Sequence, residues 1–546
     1  MSVIDHSAPA HRWRGFAFAL PIALLTIVPL LAVVGMAVTP QPDIWLHLWN
    51  YVLPRVLGNT LLLMLLVGVA VLIVAVPLAW LTAMCDFPGR RFFAWALVLP
   101  LAIPAYVLAF VQMGIFEYAG PVQSFVRDVM GNSRWFPDIR GSLWGLVMVL
   151  VMAFYPYVYL MARSAFLTQG HRSMEAAQAL GYSPVAAFFK VALPLARPWI
   201  GAGLALVLME VLADFGAIAV FNFDTFSTAV YKSWFDLHNI GAAAQLAAIL
   251  VLVVLLLVAA EQRSRNAKRF HVSNPQQHRA VLQGGMRWLA FGFCLLVFAA
   301  SFAIPMVQMV AWVLSIWREQ LNSDYWGYAW NTLYLALLTA VITTVLALLL
   351  SWIRRRHGDA KTAWVIRLAV LGYAMPGVVL AVGVFIPIAW LDAWLMALLE
   401  PFGIQALGII KGSLAGMLLA LAARFLAVAY HSTDAAMQRI TRSQEEACAS
   451  LGLGPWQTLR RLHLPLLRTG LLSAFLMVVV DVMKEMPITL MMRQFGWDTL
   501  AVRVFQLTSE SMWEEAALPA LAIVLVGLVP VILLVLQTEK KPSSAG

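Results

Sequence analysis

Four acidic residues stand where acidic residues are costly. Glu210 and Asp214 fall inside one long apolar segment, and Asp481 and Glu485 inside another. Within each pair the spacing is i, i+4, which on a continuous helix places both carboxylates on one face. Glu210 recurs as Asp481 and Asp214 as Glu485, each 271 positions further on. An acidic group near mid-bilayer costs roughly 2.5–3.5 kcal/mol on insertion scales, and such groups face a bundle interior or a polar cavity. Oxygen ligands favour hard cations, so one reading is a transient path for a cation past these four carboxylates, with no stable metal site. The other reading is structural. Protonated carboxylates bond to backbone, or Asp481 pairs with Lys484 at i, i+3, and the groups serve packing or gating.

The elements that carry these residues follow from composition. The chain has 546 residues, of which 62% are hydrophobic and 12% charged, with a mean hydropathy of +0.83. Soluble proteins carry about 25% charged residues. So much apolar surface has no soluble core to fill, and an integral membrane protein follows. The apolar runs lack the period-2 alternation of a membrane β-barrel, so the expected class is all-α. The net charge is +10. In a soluble protein this would raise nucleic-acid binding. Here the basic residues cluster at helix ends and set topology, so the lipid bilayer is the expected partner and nucleic acid is not. Cys85, Cys294 and Cys448 form no CxxC pair and suggest no disulfide framework or zinc site.

A span needs roughly 20 apolar residues. That rule predicts about twelve helices in two halves of six: 16–38, 57–84, 92–116, 142–168, 200–221 and 241–260, then 287–316, 331–353, 363–396, 411–436, 470–492 and 515–537. The 363–396 stretch holds Pro376 and Pro387 and is expected to kink or break. The predicted organisation is a first repeat over 1–262, a cytoplasmic linker over 263–285, and a second repeat over 286–546. The N-terminal apolar run to Val38 is too long for a signal h-region and reads as a retained helix. With both termini cytoplasmic, the clusters at Arg12 and Arg14, Arg90 and Arg91, Arg263 to Arg279 (with Lys268 and Arg269), Arg354 to Arg356, Arg439 to Arg468, and Lys540 and Lys541 all fall inside. Arg127, Arg134 and Arg140 are the outside exceptions, offset in part by Asp128 and Asp138. Even span numbers per half make the repeats parallel, with a symmetry axis along the membrane normal. Asn59-Thr60 against Asn331-Thr332, and Pro104 against Pro376, add matches at an interval of 272.

A loop is also written twice. Glu175-Ala176-Ala177…Gly181…Leu193-Pro194, within 172–198, recurs as Glu446-Ala447-Cys448…Gly452…Leu464-Pro465, within 443–469. Each copy predicts a short helix, a glycine break, an amphipathic stretch (Ala186, Phe189 and Leu193; Leu459, Leu462 and Leu466) and a Leu-Pro stop. His171 and His463 read as solvated loop residues. No GxxxxGK[ST] phosphate loop and no nucleophile–base constellation stands out. The expectation is a transport subunit with no catalytic residues and no cofactor in this chain.

The two loops resemble the EAA loop of ABC importer permeases, with Cys448 in place of the usual second alanine. The resemblance implies a type I ABC importer permease fold with two permeases fused in one chain. It implies coupling to a separate ATPase, expected in two copies and carrying ATP-Mg, through Glu175, Ala176, Ala177, Gly181, Glu446, Ala447 and Gly452. Further segments resemble ferric-iron permeases: Asp214-Phe215-Gly216, Phe223 to Tyr231, Trp234-Phe235, Arg424 to Ala429, Lys484-Glu485-Met486-Pro487, Phe495 to Ala501 and Glu515 to Leu533. They imply a bacterial inner-membrane importer of ferric iron, the ion passing transiently at Glu210, Asp214, Asp481 and Glu485. They also imply delivery by a periplasmic binding protein, for which Asp224, Thr225, Asp498 and Thr499 are docking candidates, with turn-capping as the alternative role. Fused thiamine and aminoethylphosphonate permeases are close relatives of that family and remain alternatives. A proton-coupled secondary transporter is a third reading, and paired EAA loops argue against it.

Overall fold

The computed structural model describes residues 9–39, 42–132, 139–265, 279–402 and 410–539. Lys268, Arg269, Lys540, Lys541, Arg134 and Asp138 lie outside the described residues, as do the side chains of Arg12, Arg14, His171 and Arg172. Among the described residues, twelve helices are long and apolar enough to cross a bilayer. In order they are Gly15–Ala37, Trp45–Met84, Ala105–Met130, Leu143–Thr168, Val185–Ala213, Ile240–Glu261, Gly285–Gln320, Ser323–Arg356, Gly377–Leu399, Leu414–Met437, Pro455–Lys484 and Trp513–Ile532, here spans 1 to 12. Spans 2 and 8 start well before the expected positions. Their added turns expose Trp49 and Tyr51, or Trp326 and Trp330, the residue types that settle at a membrane–water interface. Among the described residues the only strand pairing joins Cys85–Asp86 to Ala280–Val281 in parallel. It ties the end of the 263–285 linker to the end of span 2.

Two breaks recur in each repeat. The expected third helix, 92–116, is a helix over Arg90–Ala96, a 3-10 turn over Leu99–Ala102, and span 3 from Ala105. The 363–396 stretch divides in the same way into Ala360–Ala369, Val370–Ala374 and span 9. The break falls at Pro104 (φ −56°, ψ 144°) and Pro376 (φ −54°, ψ 143°). Proline lacks an N–H and drives its predecessor out of the helical region, as Ile103 and Met375 show with ψ of 116° and 133°. Pro387 interrupts nothing and sits inside span 9.

The second break corrects the expected limits of the fifth and eleventh helices. Leu193-Pro194 and Leu464-Pro465 do not stop a helix. Each follows a π turn, Phe188–Ala192 or Leu459–His463, and opens the regular helix. A proline in a first helical turn forfeits no hydrogen bond, so the chain stays helical from Val185 to Ala213 and from Pro455 to Lys484. The helix ends instead at Asp214 (φ −66°, ψ 128°) and Glu485 (φ −71°, ψ 126°).

By contact the chain forms two compact units: residues 1–42, 230–248 and 322–503, and residues 43–229, 249–321 and 504–546. The units follow packing and cut across the repeats. In the first, span 1 lies against Ala360–Ala369 and span 9, while spans 8, 10 and 11 pack on one another around Met437, Ile440 and Leu467. Thr26 Oγ1 donates to Ala369 O (2.9 Å). In the second, spans 2, 4 and 5 pack together, and span 7 lies against spans 12 and 3. The buried Tyr155 hydroxyl donates to Leu97 O (2.9 Å) beside the first proline break. Each unit thus holds the opening span of the other repeat.

Gly383 sets the approach of span 1 to span 9, since a Cβ there would lie 2.7 Å from Pro29 O. Gly35 on span 1 has open space. Gly383→Val should cost about 1–3 kcal/mol through overpacking and lower the melting temperature of the purified chain, with Gly35→Val much closer to wild type. Equal melting temperatures would contradict this packing.

Candidate functional site

The second break decides what the acidic pairs can do. Asp214 and Glu485 are the last residues of their helices: φ stays helical (−66° and −71°) and only ψ departs, so each Cβ still projects from the i, i+4 face of Glu210 or Asp481. The break adds a second role, since each carboxylate caps the short helix that follows. Asp214 Oδ1 accepts from Ile218 N (3.2 Å), and the Asp214 carbonyl accepts from Ser227 Oγ (2.6 Å). Glu485 Oε1 accepts from Ile488 N (2.8 Å), and Oε2 from Thr489 N and Thr489 Oγ1 (both 3.1 Å). In a bilayer the freed backbone groups have no water to turn to, and these side chains supply the acceptors. Glu210 and Asp481 remain helical and half-buried. Among the described residues, no group of three or more His, Cys, Asp or Glu is placed to hold a metal ion.

The two repeats differ in charge at this level. Arg424 Nη1 lies 3.4 Å from Glu485 Oε1. The arginine fits because position 377 is glycine, where a Cβ would meet Arg424 Nη1 at 2.1 Å. At the matching positions of the first repeat stand Ala105, Ala153 and Asp214, against Gly377, Arg424 and Glu485. Lys484 likewise matches Ala213. The acidic pair of the second repeat therefore has two cations beside it in sequence or space, and the first-repeat positions carry alanines.

The loops that follow spans 5 and 11 are stapled by the matched Asn-Thr pairs. Asn59 Nδ2 donates to Asp224 O (2.9 Å), and Asn331 Nδ2 to Asp498 O (3.0 Å). Phe226 N donates to Thr60 Oγ1 (3.3 Å), and Leu500 N to Thr332 Oγ1 (2.8 Å). Asp224 pairs with Arg55 (3.2 Å), and Asp498 with Arg493. Thr225 and Thr499 are buried, so these two docking candidates offer no surface to a partner. Thr225 N donates to Thr228 Oγ1 (2.9 Å), and the turn-capping role is the one their geometry supports. Only Asp224 and Asp498 keep part of their side chains exposed.

The repeated loops share one geometry. A helix over His171–Ala179 or Arg442–Ser450 ends at Gly181 (φ +85°) or Gly452 (φ +76°). Tyr182 N donates to Ala177 O and Leu453 N to Cys448 O, both at 3.1 Å. This is the six-to-one bond of a Schellman cap, which needs a left-handed residue just before it and so selects glycine. Ala177 is buried and Cys448 half-buried, which explains why this position takes only a small side chain. Glu175, Ala176, Glu446 and Ala447 are exposed. Leu180 and Leu451 (79% and 78%) and Val185 and Trp456 (68% and 61%) are exposed apolar residues at matching positions. Of the expected stripe, Phe189 and Leu466 are exposed and Leu459 is buried.

Sequence reading missed one cluster. His463 is buried, not solvated, and its Nε2 donates to Glu445 Oε1 (2.9 Å). Arg355 Nε also donates to Glu445 Oε1 (3.0 Å). These residues line a cavity of about 250 Å³ with Trp352, Arg356, Ala449, Leu453, Pro455 and Thr458. The available signal was divergence: the matching first-repeat positions are Ala83, Met174 and Ala192.

The Gly377–Arg424 contact predicts a non-additive pair. Arg424→Ala leaves the buried Glu485 carboxylate without its cation, a change worth about 3–5 kcal/mol in buried pairs. Gly377→Ala alone expels the guanidinium. Once Arg424 is alanine, Gly377→Ala should cost clearly less, with only Glu485 Oε1 (3.0 Å) and Pro487 Cβ (3.1 Å) left to shift. Melting temperatures of the four proteins test this, and simple additivity would refute the contact.

Comparison with known proteins bears on what these sites serve. The chain is 27% identical to the Fe(3+)-transport system permease protein FbpB 2 of Haemophilus influenzae, over 94% of this chain and 96% of that protein. It is 24% identical to the ferric transport system permease protein FbpB of Actinobacillus pleuropneumoniae, over 79% of this chain and 63% of that protein. It is 28% identical to a protein from Salmonella typhimurium named for 2-aminoethylphosphonate transport, PhnV, over 39% of this chain and 75% of that protein. A model of binding-protein-dependent transport system inner membrane components matches residues 75–264 and again residues 344–539. Each match spans one repeated loop and the broken helix that follows it, and the chain belongs to this family of transport permeases, whose unit it carries twice.

Proposed function

We propose that this chain is the permease of an ATP-driven importer and that its cargo is ferric iron. The observation that carries the cargo is the similarity, running nearly end to end, to a protein named for Fe(3+) transport. A periplasmic binding protein delivers the ion to the outer face, where Asp224 and Asp498 offer acidic contacts. Two copies of a separate ATPase, each holding ATP-Mg, dock on the two repeated loops. Leu180 and Val185, and Leu451 and Trp456, are exposed at matching positions, and unpartnered apolar patches of this kind suit a protein interface. The short helices, each set off by its glycine turn, pass the ATPase motion into spans 5 and 11, which run on unbroken from Val185 and Pro455, and access alternates across the inner membrane. Both termini are cytoplasmic in this reading. Glu210 is the carboxylate best placed to meet a passing cation. It keeps its helical position, and the neighbouring repeat positions are alanines.

A second cargo has its own support. The similarity to the 2-aminoethylphosphonate protein covers 39% of the chain, and Arg424 and Lys484 would suit a phosphonate. Uptake of labelled ferric iron and of 2-aminoethylphosphonate by cells with and without the gene separates the two. Loss of iron uptake alone is the expected result. Loss of phosphonate uptake alone would transfer the reading to the organic anion.

Docking has two tests. Gly181→Asp and Gly452→Asp force a side chain into a left-handed position, and uptake should fall while the chain still reaches the membrane. Cys448 is half-buried on the second loop. Cys294 is buried, and so is Cys85, whose burial pushes its thiol up to about 11. Maleimide should therefore label Cys448 first, and bound ATPase should protect it. Equal labelling with and without the ATPase would sink the docking site.

A further inference from the structure

The two loops are held by different chemistry. In the second, Arg355 closes on Glu445 with both faces of its fork: Nε to Oε1 (3.0 Å) and Oε2 (3.3 Å), Nη2 to Oε2 (3.2 Å). The same Nη2 donates to Ile440 O (2.9 Å), just past the end of span 10. His463, in the π turn that leads into span 11, donates to the same carboxylate at 2.9 Å. One glutamate on the loop helix thus joins the last turn of span 8, the end of span 10 and the start of span 11. The group is mostly buried, with side-chain exposures of 22%, 25% and 5% for Arg355, Glu445 and His463. In the first repeat the matching residues are Ala83, Met174 and Ala192, all buried and none able to form an ion pair. Among the described residues, rings meet at the foot of the first loop. Trp80 meets Phe166 and Phe188 edge-on, with centroids 5.2 and 4.7 Å apart.

We propose that Arg355, Glu445 and His463 form a clamp that makes the second coupling loop move as one body with spans 8, 10 and 11, so that the two loops transmit ATPase motion unequally. A bidentate guanidinium–carboxylate pair fixes direction as well as distance. Apolar contact is non-directional and lets the first loop shift on its seat. These three residues are positioning residues. They act through the loop helix and touch neither cargo nor nucleotide.

The inference rests on the ATPase docking proposed above, and its test separates the two. The full chain is reconstituted in liposomes with its ATPase, and ATP hydrolysis is measured with and without the iron-loaded binding protein, together with iron taken up per ATP. The triple variant Arg355→Ala, Glu445→Met, His463→Ala installs the first-repeat set and leaves no buried charge unpaired. It should co-purify with the ATPase as wild type does, yet its iron per ATP should fall roughly threefold or more, within the range of coupling changes. Glu445→Gln, which keeps the shape and removes the charge, should fall in the same direction and serves if the triple variant does not assemble. Arg354→Ala breaks the neighbouring Arg354–Asp434 pair (3.0 Å) without touching the loop and should leave the ratio unchanged. An unchanged ratio in both clamp variants, or an equal fall in Arg354→Ala, overturns the clamp. A wild-type protein whose hydrolysis ignores the binding protein overturns the docking reading itself.

Discussion

The architecture depends on one constraint: inside a bilayer, a backbone group that leaves the helix must find its partner within the protein. Among the described residues the matched breaks at Pro104 and Pro376, and at Asp214 and Glu485, meet this demand in two ways. At the prolines, Val107 N and Val379 N bond back to the proline carbonyls at 2.9 and 3.0 Å, and the new helix starts at once. At the acidic breaks the side chain itself provides the acceptor. The carboxylates thus earn their place as caps, and only then as candidates for meeting a cargo. A helix broken at the matching residue of each repeat leaves backbone and side-chain dipoles free to turn toward new partners, which an unbroken helix cannot.

Duplication lets one repeat serve as the control for the other. Backbone geometry agrees within 5° at Pro104 and Pro376 and at Asp214 and Glu485, while the side chains differ in linked sets. Ala105, Ala153 and Asp214 became Gly377, Arg424 and Glu485, where the glycine makes room for the arginine and the arginine offsets the longer carboxylate. Ala83, Met174 and Ala192 became Arg355, Glu445 and His463. In each set a change at one position is tolerable only with the others, because a buried charge without its partner is far costlier than either the pair or none. Asymmetry of charge and of stiffness has thus been written onto a symmetric frame.

Much of this was legible in the chain. Span number follows from hydrophobic length, since a bilayer demands a minimum run and nothing else in the sequence mimics it. The glycines at 181 and 452 followed from helix-forming residues on one side and a Leu-Pro on the other. Pro104 and Pro376 marked a break because their chemistry is local. Pro194 and Pro465 misled for the same local reason. A proline in a first turn is harmless, and only the preceding π turn reveals that the turn is a first one.

What the sequence determined by itself is the set of properties that depend on neighbours along the chain: membrane insertion, an all-helical class, the repeat and its two glycine-capped loops. What tertiary structure alone decided depends on partners remote in sequence. The i, i+4 spacing of Glu210 and Asp214 gave a shared face, and only the structure showed that the helix ends there and that Asp214 caps the next one. Thr225 and Thr499 read equally as docking or turn-capping residues, and their burial in loops held by Thr60 and Thr332, more than 160 positions away, came only with the structure. His463 looked solvated until Glu445 and Arg355 closed over it, 18 and 108 positions away. Hydrogen bonds and ion pairs are short-ranged and directional, so their partners are fixed by the packing of helices, and periodicity along one helix carries no record of them.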